Sequence, residues 1–131
     1  MADPKSPKPP QGLGNTGRAL WWQVLRALPA GWQFDEREEA TLALAARQRD
    51  DLAKLETVIK RDGVMSVGST GQPTCHPAVG EARQARLAIG RLLGALHLPD
   101  SDEKPATTAS QRGQRAANAR WTREHRIGPA R

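Results

Sequence analysis

The chain has no tyrosine, one phenylalanine and one cysteine among its 131 residues. A single thiol forms no intramolecular disulfide, and Cys75 alone cannot build a cysteine-based metal site. The three histidines, His76, His97 and His125, fall in different segments. His76 adjoins Cys75, but neighbours in sequence do not make a nucleophile–base pair without a third group to orient them. No catalytic residues are assigned, and no metal or cofactor is expected. Gly12, Gly14 and Gly17 follow no strand and lack the lysine of a phosphate loop, which removes a nucleotide-binding reading. No apolar run approaches the roughly 20 residues of a spanning helix. The first residues carry proline and charge where a secretory signal has an apolar stretch, so a soluble, intracellular chain with no membrane partner is expected.

What the chain does have is charge, unevenly placed. The formal net charge is +6, yet residues 19–100 carry ten Lys/Arg against ten Asp/Glu. Residues 112–131 carry six arginines against one glutamate. A neutral body with a basic extension points to a polyanionic partner, nucleic acid being the commonest. Arg112, Arg115, Arg120, Arg123 and Arg126 are the expected DNA-binding residues, neutralising phosphate without reading sequence. Trp121 either stacks on a partner or docks on the body. The competing reading of this tail is a solubilising extension or a protein-docking peptide.

Residues 1–11 hold four prolines with Lys5 and Lys8. Proline at this density prevents helix and favours extended chain, so a disordered arm is expected. Asn15 or Thr16 then caps a helix through Leu28, whose face is Leu20, Trp21, Val24, Leu25 and Leu28. Trp22 lies off that face, toward a second surface or a neighbouring subunit. Pro29 and Gly31 stop the helix. Asp35 opens a long helix running to Asp62, with Glu38 three residues on in a capping-box arrangement. Its expected stripe is Ala45, Leu52, Leu55 and Ile59, widened by Leu42, Leu44 and Val58. Glu56 is expected to pair with Lys60 at i,i+4. Turn chemistry from Gly68 to Pro73 lies between two short extended runs, a small β-hairpin or loop. Pro77 suits the first position of the next helix, whose stripe is Ala82, Ala85, Ile89, Leu92, Leu93 and Leu96.

The fold class expected is all-α: an antiparallel hairpin of two long helices, a short N-terminal helix, the small β-hairpin or loop between the long helices, and flexible tails. The divisions are a Pro/Lys arm over 1–11, a helical oligomerisation core over 12–100, a linker over 101–111 and the basic tail over 112–131. Roughly 80 packable residues are marginal for a lone monomer, so self-association is expected. Its interface is assigned to Trp21, Trp22, Leu52, Leu55, Ile59, Ile89, Leu92, Leu93 and Leu96.

Several stretches together resemble one family. They are Gly12-Leu-Gly-x-x-Gly17 leading into Trp21 and Trp22, the acidic start Asp35-Glu36, and Arg49-Asp50-Asp51-Leu52. Arg61-Asp62-Gly63 follows, then His76-Pro77-Ala78 with Glu81, Ala82 and Arg83, and finally Leu92-Leu93-x-x-Leu96-x-Leu98-Pro99. Over roughly Gly12 to Asp100 the chain resembles the small terminase subunits of tailed bacteriophages, in particular the compact actinophage-type branch. The resemblance implies a non-catalytic, ring-forming homo-oligomer acting in the cytoplasm of the infected bacterial host. It would recognise double-stranded viral DNA and present it to the large terminase subunit, whose ATPase and nuclease do the chemistry. Some members carry an N-terminal helix-turn-helix; here only one helix precedes Asp35. DNA contact is therefore expected at the basic tail, with secondary contacts at Lys5, Lys8, Arg83, Arg86 and Arg91. The alternative is a small dimeric DNA-binding regulator with no motor partner.

Overall fold

The computed structural model describes residues 6–99. Among them are three helices, α1 (Asn15–Ala27), α2 (Glu36–Asp62) and α3 (Pro77–Gly94). Two short strands, β1 (Met65–Val67) and β2 (Pro73–Cys75), lie between α2 and α3. They pair antiparallel, with Met65 opposite Cys75, Ser66 opposite Thr74 and Val67 opposite Pro73. Lys5 and the whole of 112–131 lie outside the described residues.

The long helix begins as its sequence requires. Asp35 accepts the Glu38 N–H at 2.8 Å, and the Glu38 carboxylate accepts the Asp35 N–H at 3.0 Å, completing the capping box. Glu36, Glu38 and Glu39 occupy the first turn, while Lys60 and Arg61 occupy the last, each favoured by the helix dipole. Gly63 closes the helix at φ 81°, a conformation costly for any residue with a Cβ. At 27 residues the rod is about 40 Å long.

The other two helices lie along it. Trp21, Val24, Phe34, Leu42 and Leu96 form one buried cluster joining α1, the start of α2 and the end of α3. Leu52, Ala82 and Ala85 form a second, with Leu55, Ile59 and Ile89 packed against it. The small side chains of Ala82 and Ala85 let α3 approach α2 closely there. Contacts between α2 and α3 run in opposite orders along the two: Asp62 meets His76, Glu56 meets Arg86, and Leu42 shares a cluster with Leu96.

Three local expectations change. Leu44 is exposed, and Ala46 rather than Leu44 faces the core. Helices α1 and α3 take up neighbouring sides of α2, which rotates its buried arc toward Ala45 and Ala46. Trp22, expected off the α1 face and toward a second surface or a neighbouring subunit, is half-buried against the first cluster. Part of the arm is anchored: the Trp21 indole N–H donates to the Pro7 carbonyl at 3.2 Å. Burying Trp21 obliges its N–H to find an acceptor, and a proline-rich strand offers carbonyls without competing donors.

Candidate functional site

The start of α1 and the middle of α2 meet at a single carboxylate. Asp50 accepts the Gly14 N–H at 2.6 Å, the Gly17 N–H at 2.6 Å and the Thr16 hydroxyl at 2.7 Å. Neither Asn15 nor Thr16 is the N-cap. The N-cap is Gly14, which has no side chain to serve, so the first turn of α1 is closed from another helix. A Cβ added at Gly17 would lie 2.5 Å from Asp50 Oδ2 and 2.6 Å from the Ala46 carbonyl oxygen. Glycine at 17 is therefore a packing requirement. Partial burial pushes the Asp50 carboxyl up, but hydrogen bonds from Thr16, Gly14 and Gly17 and the charge of Lys54 outweigh this and hold it below its ordinary value. The Gly-x-x-Gly and Arg-Asp-Asp stretches noted in the sequence are two halves of one contact.

A second junction ties the β-hairpin to the helices. His76 is the N-cap of α3, its Nδ1 accepting the Ala78 N–H at 3.1 Å. That acceptor role leaves the ring proton on Nε2, which faces Asp62 Oδ2 at 3.1 Å. Arg61 adds a forked contact to the same carboxylate, at 2.6 and 2.9 Å. The Arg61 bond foremost, helped by the His76 bond and by the charges of both, holds the Asp62 carboxyl down at about 2 against the opposing effect of desolvation. Pro77 occupies the first turn of α3, where a missing N–H costs nothing.

Beside this junction a groove open to solvent is lined by Cys75, His76, Pro77, Val79, Gly80, Arg83 and Arg86. Arg86 Nη2 lies 3.5 Å from Glu56 Oε1, and Arg49 Nη1 lies 3.7 Å from Glu56 Oε2. Glu56 thus answers two arginines instead of the expected Lys60, because α3 brings Arg86 across to it. Arg83, Arg86, Arg91 and Lys8 are all exposed. Of the ten residues expected at DNA, these four are described, and three of them share α3.

The nine residues assigned to an interface between copies are placed as follows. Trp21, Leu52 and Leu96 are buried within the single chain. Trp22, Leu55, Ile59, Ile89 and Leu93 pack against those buried clusters, and Leu92 is half-buried. Much of their apolar area is therefore already used inside one copy.

The capping role of Asp50, the Arg86 partner of Glu56 and the capping role of His76 were not assigned from the sequence. Each acts across a long separation or on the backbone, where local pattern carries no signal.

Among the described residues, no three His, Cys, Asp or Glu side chains are grouped to hold a metal ion. None of the described helices is long and apolar enough to cross a membrane. A family model for the phage terminase small subunit matches residues 17–112. That is most of the chain, and the chain belongs to that family. The family acts in phage DNA packaging alongside the large terminase subunit and is generally non-catalytic. No curated protein and no solved structure matches the chain.

Proposed function

We propose that this protein is the DNA-recognising subunit of a phage packaging machine, working in the cytoplasm of the infected host. Copies assemble into a closed homo-oligomer on the antiparallel hairpin of α2 and α3, grip double-stranded viral DNA and hand it to the ATPase–nuclease large subunit. The observation that carries the reading is the family match over residues 17–112. The charge distribution supports it: a balanced helical body is followed by a stretch with six arginines and one glutamate.

In this reading Arg112, Arg115, Arg120, Arg123 and Arg126 supply most of the phosphate contacts. Arg83, Arg86 and Arg91 add a basic helix face, and Lys5 and Lys8 contribute at the arm. Such contacts give affinity and register along a duplex but no base readout.

Two measurements test it. Light scattering at micromolar concentration is expected to give a multiple of the chain mass well above two; a lone monomer refutes the assembly. A dimer on a short palindrome supports a regulator instead. The logarithm of DNA affinity is expected to fall steeply with the logarithm of salt. Deleting residues 112–131, with six arginines, should flatten that slope by up to about five units. An unchanged slope moves DNA contact off the tail.

A further inference from the structure

Helix α3 turns a row of unused side chains outward. At about 3.6 residues per turn, Arg83, Gln84, Leu87 and Arg91 lie on one side of it, opposite the Ala82, Ala85 and Ile89 that pack on α2. All four are exposed, Leu87 at 51 %. Among the described residues, Arg83 and Arg91 have no ion-pair partner; of the α3 arginines only Arg86, at the edge of the row, is answered, by Glu56 at 3.5 Å. The packing of α3 on α2 does not call for this row.

The same side of α3 is open to close approach. Gly80 and Gly90 fall on it, both inside the helix, and a Cβ added at either meets nothing within 4 Å. Glycine inside a helix is destabilising relative to alanine. At Gly17 that cost has an internal reason, since Asp50 and the Ala46 carbonyl fill the space. At Gly80 and Gly90 the space is empty, and glycine is suited to letting a ligand come near the backbone.

Charge complementarity selects the ligand. Helix α3 carries three arginines and one acid, Glu81, which stands to the side of the row. The exposed side of α2 mixes signs instead, with Arg37, Arg47 and Lys54 among Glu36 and Asp51. Helix α1 shows Arg18 and Arg26, but no large apolar side chain is exposed on it. A second α3 laid on this row would set arginine against arginine. A DNA duplex offers phosphates on both rims of a groove whose floor carries donors, acceptors and thymine methyls. The major groove, about 12 Å wide, admits a helix. At 18 residues, α3 is about 27 Å long, enough to cross it.

We propose that α3 reads DNA sequence: its outward side enters the major groove, where Gln84 and Leu87 meet base edges while Arg83 and Arg91 hold the flanking phosphates. This rests on the DNA-binding reading above and adds the base readout that phosphate contacts do not supply. A glutamine amide pairs with adenine N6 and N7, and an apolar side chain packs on a thymine methyl, so the preferred site has A·T pairs where Gln84 and Leu87 meet it.

The test uses the full chain and a pool of random-sequence duplexes. Selection is expected to return a preferred sequence, bound more tightly than its scrambled duplex in fluorescence anisotropy. Gln84→Ala and Leu87→Ala should each lower that preference, the first roughly tenfold, with the slope of log affinity against log salt unchanged, as loss of a base contact does. Arg91→Ala should instead weaken both duplexes alike and flatten the slope by about one. All three positions are exposed, so the helical circular dichroism should be retained. A parent chain that binds no duplex even in dilute salt overturns the DNA-binding reading itself. Binding with no preferred sequence, a preference that Gln84→Ala and Leu87→Ala leave intact, or an unchanged slope for Arg91→Ala keeps that reading and overturns α3 as the reader. An intact preference with a reduced assembly mass in the same variants reassigns this side of α3 to a contact between copies.

Discussion

The Asp50 carboxylate, midway along α2, closes the first turn of α1 by accepting the Gly17 N–H at 2.6 Å, and it fills the space a side chain at 17 would need. One residue thus sets both the start and the closeness of the neighbouring helix. The consequences are separable by substitution.

Gly17→Ala is expected to destabilise the chain by about 1–3 kcal/mol, because backbone at Ala46 cannot give way as a flexible side chain could. Gly90→Ala is its control: a Cβ there meets nothing within 4 Å. That change should stabilise α3 by about 0.5–1 kcal/mol through helix propensity. Urea denaturation of the two variants, compared with the parent, reads both signs.

Asp50→Asn keeps the shape but replaces a charged acceptor that serves three donors. A loss of about 1.5–3 kcal/mol at neutral pH follows from hydrogen bonds to a charged group. The sign with pH is fixed. The folded Asp50 carboxyl is held below its ordinary value, so its contribution is complete above the unfolded value and disappears as pH falls through the folded one. Parent and variant stabilities should therefore converge on acidification below about pH 4. A gap unchanged down to strong acid would mean that the carboxylate charge is irrelevant.

Asp62 should titrate near 2 by carboxyl NMR, with its contribution to stability complete above the ordinary carboxylate range and lost progressively as pH falls from that range through about 2. His76→Ala removes one of its partners and also the N-cap of α3. The Asp62 titration should move up toward the ordinary carboxylate range. The cap alone is worth about 0.5–2 kcal/mol.

Glu56→Gln tests the α3 arginines. The change leaves Arg49 and Arg86 without their shared carboxylate, and because these pairs are partly exposed and long, stability should fall by no more than about 1 kcal/mol. DNA affinity at low salt should rise, because Arg86 is released and one negative charge is gone. Arg86→Ala in the same background should cancel the gain. Failure of that cancellation places phosphate contact away from this part of α3.

The long helix was legible because everything that starts and stops it is local: Asp35 and Glu38 three apart, acids first, cations last, Gly63 at the end. Pro77 announced α3 in the same way, and the turn residues from Gly68 to Pro73 marked the place of the strands. The start of α1 was not legible, since its cap, Asp50, lies 33 residues from Gly17. Glu56 was assigned to Lys60 on helical spacing, which cannot foresee a partner such as Arg86 arriving from another helix. Leu44 shows the limit of a hydrophobic stripe: periodicity gives a face, but neighbours decide which edge of it is covered. Which strand side chains share a face emerged only with the register, because Met65, Val67, Pro73 and Cys75 gather on one side only when the strands pair as they do.

Helix α2 runs without a break from the Phe34–Leu42 cluster at one end to the Leu52–Ala82 cluster toward the other. A stiff strut shared by two anchor points behaves as a lever. Since both clusters are seated on that one unbroken helix, the two halves of the body are expected to unfold in a single step rather than one after the other.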